Sequence, residues 1–318
     1  MRPSPVQHDR RSRRAAASMA LLFTCVASAT GCARFHAAPP PGAPKDANFA
    51  TIDGVRLRYV DEGPREGAPT LLLIHGFAAS LDTWGGIRKA VAGRARVIAA
   101  DLKGFGYSGR PAGDYSPAAQ ARLLLGLLDH LGAGKVAIVA HSWGSSVALQ
   151  LTLAAPERVE RVALYDAWVF EAQLPPFFLW ARAAGLGEAL FGLVYRERAE
   201  DRLELAFYAP ERVPQALVDH ALAGIESPGT VAAHLAAVRG QRYAEVERRY
   251  REVRQPVLLL WGREDRVTLL RYGERLQREL PDARMRVYPR CGHFPMLEAF
   301  AESTRDLVEF LGLQGGVR

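Results

Sequence analysis

The sequence predicts an α/β protein: a mostly parallel eight-stranded sheet flanked by helices, with a long helical insertion. Short apolar, β-branched runs alternate with helix-forming stretches from Phe49 to Leu311. Such alternation builds a parallel sheet with helices on both faces. Several of these runs end abruptly in turns that carry glycine and polar residues. Between Ala167 and Arg254 the strand-like runs vanish, and helical segments with clustered aromatics replace them.

The chain has 318 residues and is 49% hydrophobic, enough for one sizeable core. Its formal charge of +7 is concentrated at the start. Residues 1–31 hold five arginines against one aspartate, so the remainder carries only +3. No clustered basic face is evident in that remainder, which argues against nucleic acid as a partner.

Residues 1–31 read as an export signal. A basic stretch to Arg14 precedes an apolar run from Ala15 to Ala29, shorter than the ~20 residues a membrane span needs. Ala29-Thr30-Gly31-Cys32 resembles a bacterial lipobox, with Ala29 in place of the usual leucine. That resemblance implies a mature chain starting at a lipidated Cys32, held at a membrane of the cell envelope. A plain cleaved signal, giving a secreted or periplasmic protein, and an uncleaved anchor are the alternatives. Arg13-Arg14 also leaves twin-arginine export open beside the general route. Residues 32–47 are rich in proline and alanine and read as an extended tether lifting the body off the membrane. With Cys25 removed and Cys32 acylated, Cys291 has no partner and is expected to be a buried free thiol.

The body, 48–166 and 255–313, opens with Phe49–Ile52 and Val55–Asp61 around Asp53-Gly54, a hairpin signal. Leu71–Ile74 is the next apolar run and ends in His75-Gly76-Phe77. Val97–Ala100 leads into a glycine-rich loop, Asp101–Gly109. Ser116 and Pro117 cap and start a helix that runs to about Leu131, with Leu124, Leu127, Leu128 and Leu131 on one face. Val136–Val139 then enters Ala140-His141-Ser142-Trp143-Gly144, followed by a helix that Pro156 stops. Val162–Tyr165 is the sixth strand, and the helical insertion 167–254 follows it. Val257–Trp261 ends in Gly262-Arg263-Glu264-Asp265. Val287-Tyr288 leads to Cys291-Gly292-His293-Phe294 before the last helix.

The segment around Ser142 is the most informative. A serine between small residues, where a strand turns sharply into a helix, has its hydroxyl pushed outward. Such a hydroxyl needs a base, a group orienting that base and donors for an oxyanion. Ser142, Asp265 and His293 follow the ends of three strands, and the ends of parallel strands share one rim. The N–H groups of Phe77 and Trp143 are the candidate oxyanion donors. Glu264 and Asp166 are alternative acids. No metal-ligand spacing occurs, and no cofactor is expected.

These motifs, together with Asp101–Ser108, resemble the α/β-hydrolase fold family over Phe49 to Leu311. Within it the chain is most similar to serine esterases, carbon–carbon bond hydrolases and cofactor-free haloperoxidases. Haloalkane dehalogenases and epoxide hydrolases resemble it around the turn but use an aspartate nucleophile where this chain has Ser142. Proline iminopeptidases share a similar Ser-Trp-Gly-Ser run, but their oxyanion loop differs from His75-Gly76-Phe77-Ala78-Ala79. The resemblance favours Asp265 as the acid and implies that 167–254 is a helical cap roofing the site. Phe77, Trp143, Trp168 and Phe294 are then candidate substrate contacts, and the cap aromatics imply an apolar ester-like small molecule. It implies hydrolysis of a carboxylic ester or similar acyl substrate through an acyl-enzyme. Carbon–carbon bond hydrolysis or perhydrolysis stays open, as does a non-catalytic ligand-binding lipoprotein.

Overall fold

The computed structural model describes residues 34–195 and 199–313. The segment 1–31 and Cys32 lie outside them. Among the described residues no helix is long and apolar enough to cross a membrane.

The chain begins with a hairpin of β1 (Asn48–Ile52) and β2 (Val55–Glu62). Asp53 and Gly54 both take positive φ there, as a tight hairpin turn requires. β3 (Thr70–Ile74), α1 (Gly85–Val91), β4 (Arg96–Ala100), α2 (Pro117–His130), β5 (Val136–His141), α3 (Trp143–Ala154) and β6 (Val159–Tyr165) follow. The Ser116 hydroxyl accepts from the Ala119 N–H at 3.2 Å and caps α2, with Pro117 in its first turn. After β6 come α4 (Pro176–Ala181), α5 (Leu186–Leu193), α6 (Ala199–Ala206), α7 (Gln215–Glu226) and α8 (Thr230–Gly240). The chain finishes with β7 (Val257–Gly262), α9 (Leu270–Glu279), β8 (Ala283–Tyr288), α10 (Pro295–Glu298) and α11 (Phe300–Phe310).

The sheet order is β1-β2-β4-β3-β5-β6-β7-β8. Only the pairings of β2 with β1 and β4 are antiparallel. The inner stretches of the central strands, Leu71–Ile74, Val97–Ala100, Val136–Ala140 and Val162–Leu164, are apolar throughout because both faces of a parallel sheet are covered. Leu72, Ile74, Ile138, Ala140 and Leu164 pack towards α2 and α3. Their neighbours Leu71, Leu73, Ala137, Val139 and Ala163 pack towards α1 and α11. This alternation follows from the two-residue period of a strand.

From Arg34 onward the Pro/Ala-rich stretch runs through turns at 41–42 and 45–46 and is pinned to the body at His36, where its composition predicts a tether standing clear. Backbone pairing is the reason. The His36 N–H donates to the Arg110 carbonyl at 2.9 Å, and the Arg110 N–H returns the bond at 2.8 Å. Phe35 stacks on Tyr115, and Pro40 is buried.

Candidate active site

Ser142 sits between β5 and α3 at φ 52°, ψ −125°, a backbone conformation sparsely allowed for any residue with a side chain. Three hydrogen bonds hold it there. Its N–H donates to the Tyr165 carbonyl, and its own carbonyl accepts from Ser145 and Trp168. The glycine that follows allows close approach of β3. A Cβ at Gly144 would stand 2.4 Å from the His75 carbonyl oxygen and 2.7 Å from that of Ile74.

Around this turn the strand ends bring three side chains into series. The Ser142 Oγ lies 2.9 Å from Nε2 of His293. Nδ1 of His293 lies 2.8 Å from Oδ2 of Asp265. All three residues are buried. Asp265 also accepts from the Val267 and Thr268 N–H groups at 2.7 and 2.9 Å, and from the Thr268 hydroxyl. A carboxylate so supplied with donors takes the proton of Nδ1 as one more, which leaves the Nε2 lone pair facing the serine hydroxyl.

A second carboxyl stands beside Asp265. Asp166 ends β6 at φ 44°, fully buried, and one of its oxygens accepts from the Gly262 N–H at 2.9 Å. Asp166, Asp265 and His293 each bring one nitrogen or oxygen within 4.8 Å of the others. The sequence offers Asp166 only as an alternative to Asp265, whereas the strand ends bring both carboxyls together beside His293. Burial, and then the charge of Asp265, raises the Asp166 carboxyl well above the ordinary carboxylate range. Burial also opposes ionisation of Asp265. The charge and hydrogen bond of His293, with those from Thr268 and Asp166, overcome it and hold Asp265 below its usual value. The proton therefore resides on Asp166 and the negative charge on Asp265.

The other acid considered, Glu264, turns to the base of the histidine loop, where its side chain accepts from the Cys291 N–H. Cys291 is a buried free thiol, raised first by burial. The histidine loop has a further support that sequence reasoning misses. Glu298 accepts from Gly292 at 3.0 Å, from Phe294 at 3.3 Å and from Tyr208 at 2.8 Å. The His293 N–H donates to Ala206 at the end of α6. The insertion thus helps hold the histidine. No local signal marks Glu298, whereas the Asp-x-x-Thr spacing of Asp265 and Thr268 is a recognisable turn pattern.

His141 lies beside the serine in sequence, but its ring reaches across to His293. Its Nε2–H donates to the His293 carbonyl at 2.8 Å, and the ring centroids are 4.8 Å apart. Burial, then the neighbouring His293, keeps His141 neutral. His75 accepts the Leu102 N–H at Nε2 and donates from Nδ1 to the Gly76 carbonyl, bracing the turn before Phe77. Asp101 accepts from the Leu81 and Tyr107 N–H groups and ties down the glycine-rich loop.

Trp143 opens α3, so its N–H has no carbonyl four residues back to bond. Its ring meets that of Phe77 at 6.0 Å, which puts the two segments side by side. Phe77 also touches Phe105, Phe178 and His234, and Trp168 reaches Phe178, forming one aromatic wall. Phe294 lies off that wall, its ring against those of His141, His293 and Phe207. A cavity of about 270 Å³ is bordered by Ala78 and Ala79, which follow Phe77, and by Phe105, Ile225 and His234; neither Ser142 nor His293 lines it. A larger cleft of about 720 Å³ lies apart from Ser142, between Tyr115, Glu188 and Arg239.

Residues 69–300 match the family described as alpha/beta hydrolase fold. The chain belongs to that family. It is 30% identical over 267 residues to an uncharacterized protein of Mycobacterium tuberculosis, spanning 80% of this chain and 77% of that one. It is 31% identical over 270 residues to a 2-hydroxy-6-oxononadienedioate/2-hydroxy-6-oxononatrienedioate hydrolase of Paraburkholderia xenovorans, spanning 81% and 91%. Among solved structures it is similar to Est816, described as an N-acyl homoserine lactone degrading enzyme. That likeness has a TM-score of 0.71 and 25% identity, and covers 83% of this chain and all of the other.

Proposed function

We propose that this member of the family is a serine hydrolase that cleaves carboxylic esters with apolar acyl groups through an acyl-enzyme. The observation that carries the reading is the unbroken series Ser142 Oγ, His293 Nε2, His293 Nδ1, Asp265 Oδ2, at 2.9 and 2.8 Å. In this reading His293 takes the serine proton as Ser142 attacks the carbonyl. Asp265 keeps the ring oriented and stabilises its charged form. The N–H groups of Phe77 and Trp143 hold the oxyanion. His293 then protonates the leaving alcohol, and a water repeats the sequence on the acyl-enzyme. The aromatic wall of Phe77, Trp143 and Trp168 supports an apolar acyl group, and a lactone is a cyclic ester, so the likeness to Est816 points the same way. Ser142→Ala is expected to abolish turnover of short p-nitrophenyl esters and labelling by a fluorophosphonate; equal turnover in the variant removes Ser142 from the mechanism.

The Paraburkholderia relative favours a second reading, carbon–carbon bond hydrolysis by the same residues. Its named substrates are dicarboxylates, which an aromatic wall suits less well than an apolar acyl group. Turnover of a 2-hydroxy-6-oxo dienoate that exceeds turnover of every ester tested would decide for it. We further propose attachment to an envelope membrane through the N-terminus, by lipid on Cys32. The motif ending at that cysteine supports this. A mature N-terminus other than a modified Cys32, read by mass, refutes the lipid.

A further inference from the structure

Residues 179–194 of the insertion turn an unusually apolar surface outward. Of nine large hydrophobic side chains exposed among the described residues, five lie here: Leu179, Trp180, Leu186, Leu193 and Val194. Leu186 and Leu193 are seven apart on α5 and so share a face, with half-buried Leu190 between them. Ala183 and Ala184 are exposed in the link to α4. The segment holds only two charged residues, and both are turned back into ion pairs. Arg182 bonds Glu171 at 2.7 Å, and Glu188 bonds Arg239 at 2.8 Å. A surface whose only charges are neutralised inward has no ordinary reason to face water.

The N-terminal segment says what covers it. The backbone pairing of His36 with Arg110 fixes that end of the chain to the body, and Phe35 borders the same cleft as Glu188 of α5. The apolar run Ala15–Ala29 ends five residues before Arg34. Five residues reach at most ~18 Å when fully extended. Cys32 is nearer still. Whichever of them enters a bilayer, the body at Arg110 and the cleft that Phe35 shares with Glu188 are held within that reach of it, and Leu186 and Leu193 lie on the face of α5 turned away from the cleft.

We propose that the outward face of α4 and α5, centred on Trp180, Leu186 and Leu193, docks into the surface of a lipid bilayer. Aliphatic side chains then enter the acyl region while the indole of Trp180 sits at the headgroup boundary. The inference rests on the proposed membrane attachment, not on the chemistry at Ser142.

Trp180 is the reporter. The other four tryptophans, at positions 84, 143, 168 and 261, are buried, whereas Trp180 is 59% exposed. Full-length protein is bound to phosphatidylcholine–phosphatidylglycerol vesicles with plain or brominated acyl chains, and flotation reports the attachment. Bromine is expected to quench a fraction of the emission equal to that lost in Trp180→Phe, whose remaining emission bromine leaves unchanged. Leu186→Asn with Leu193→Asn is expected to abolish the quenching at unchanged hydrolysis of a soluble p-nitrophenyl ester. Protein that floats yet emits equally in both vesicles overturns the docking while leaving the attachment standing, and a dimer that covers Trp180 from bromine overturns it too. Protein that does not float overturns both, and ester turnover reports separately on the reaction.

Discussion

Gly144→Ala tests the elbow with a single methyl group. The added Cβ would stand 2.4 Å from the His75 carbonyl oxygen, whereas ordinary contact begins at 3.4 Å, so the two must separate by about 1 Å. The obstacle cannot rotate away, because the carbonyls of Ile74 and His75 belong to the end of β3 in the middle of the sheet. The first turn of α3 must move instead, and with it Ser142 and the Trp143 N–H. Overpacking of this kind costs about 1–3 kcal/mol. A reacting group displaced by ~1 Å loses on the order of 100-fold in rate. The assay is kcat/KM for p-nitrophenyl butyrate beside a calorimetric Tm, with Gly224→Ala as control. Gly224 lies within α7 with nothing within 4 Å of an added Cβ. That variant should gain about 0.5–1 kcal/mol and keep its activity. A Gly144→Ala enzyme with the wild-type rate and Tm would refute the reasoning.

Asp265→Asn should preserve the fold and lower kcat by about 10⁴, because the amide favours the wrong tautomer of His293; a loss under tenfold, measured on the same ester, would transfer the role to another acid. Asp166→Asn tests the placement of the proton. Native Asp166 keeps its proton at pH values where the unfolded chain, with an ordinary value of about 3.9, has lost it. Its contribution to stability is therefore full below that value and lost as pH rises through the native one. The variant cannot titrate, so its Tm should gain on wild type as pH rises above about 4, and a constant difference contradicts the assignment. His141→Ala leaves the His293 carbonyl buried without its donor, which costs about 1–3 kcal/mol. Denaturant unfolding should show that loss together with a lower kcat, and an unchanged midpoint would make the contact incidental.

The strand–helix alternation, the Ser142 turn and the serine, acid, histidine order are legible along the chain because each is written within a few neighbouring residues. Strand ends that share a rim then put Ser142, His293 and Asp265 within reach of one another, and the contacts of their loops close the hydrogen bonds. Other features arise only when distant segments exclude water together. Asp166 keeps its proton because burial and Asp265 disfavour a second charge. Glu298 matters because a loop and the insertion converge on its two oxygens. His141 reaches the neighbouring histidine through the curvature of the turn, not through sequence adjacency. The proline-rich stretch has the composition of a free tether, yet two backbone hydrogen bonds to Arg110 lay it against the body. Local propensity is a property of a few residues, whereas desolvation and hydrogen-bond closure belong to whichever segments the fold brings together.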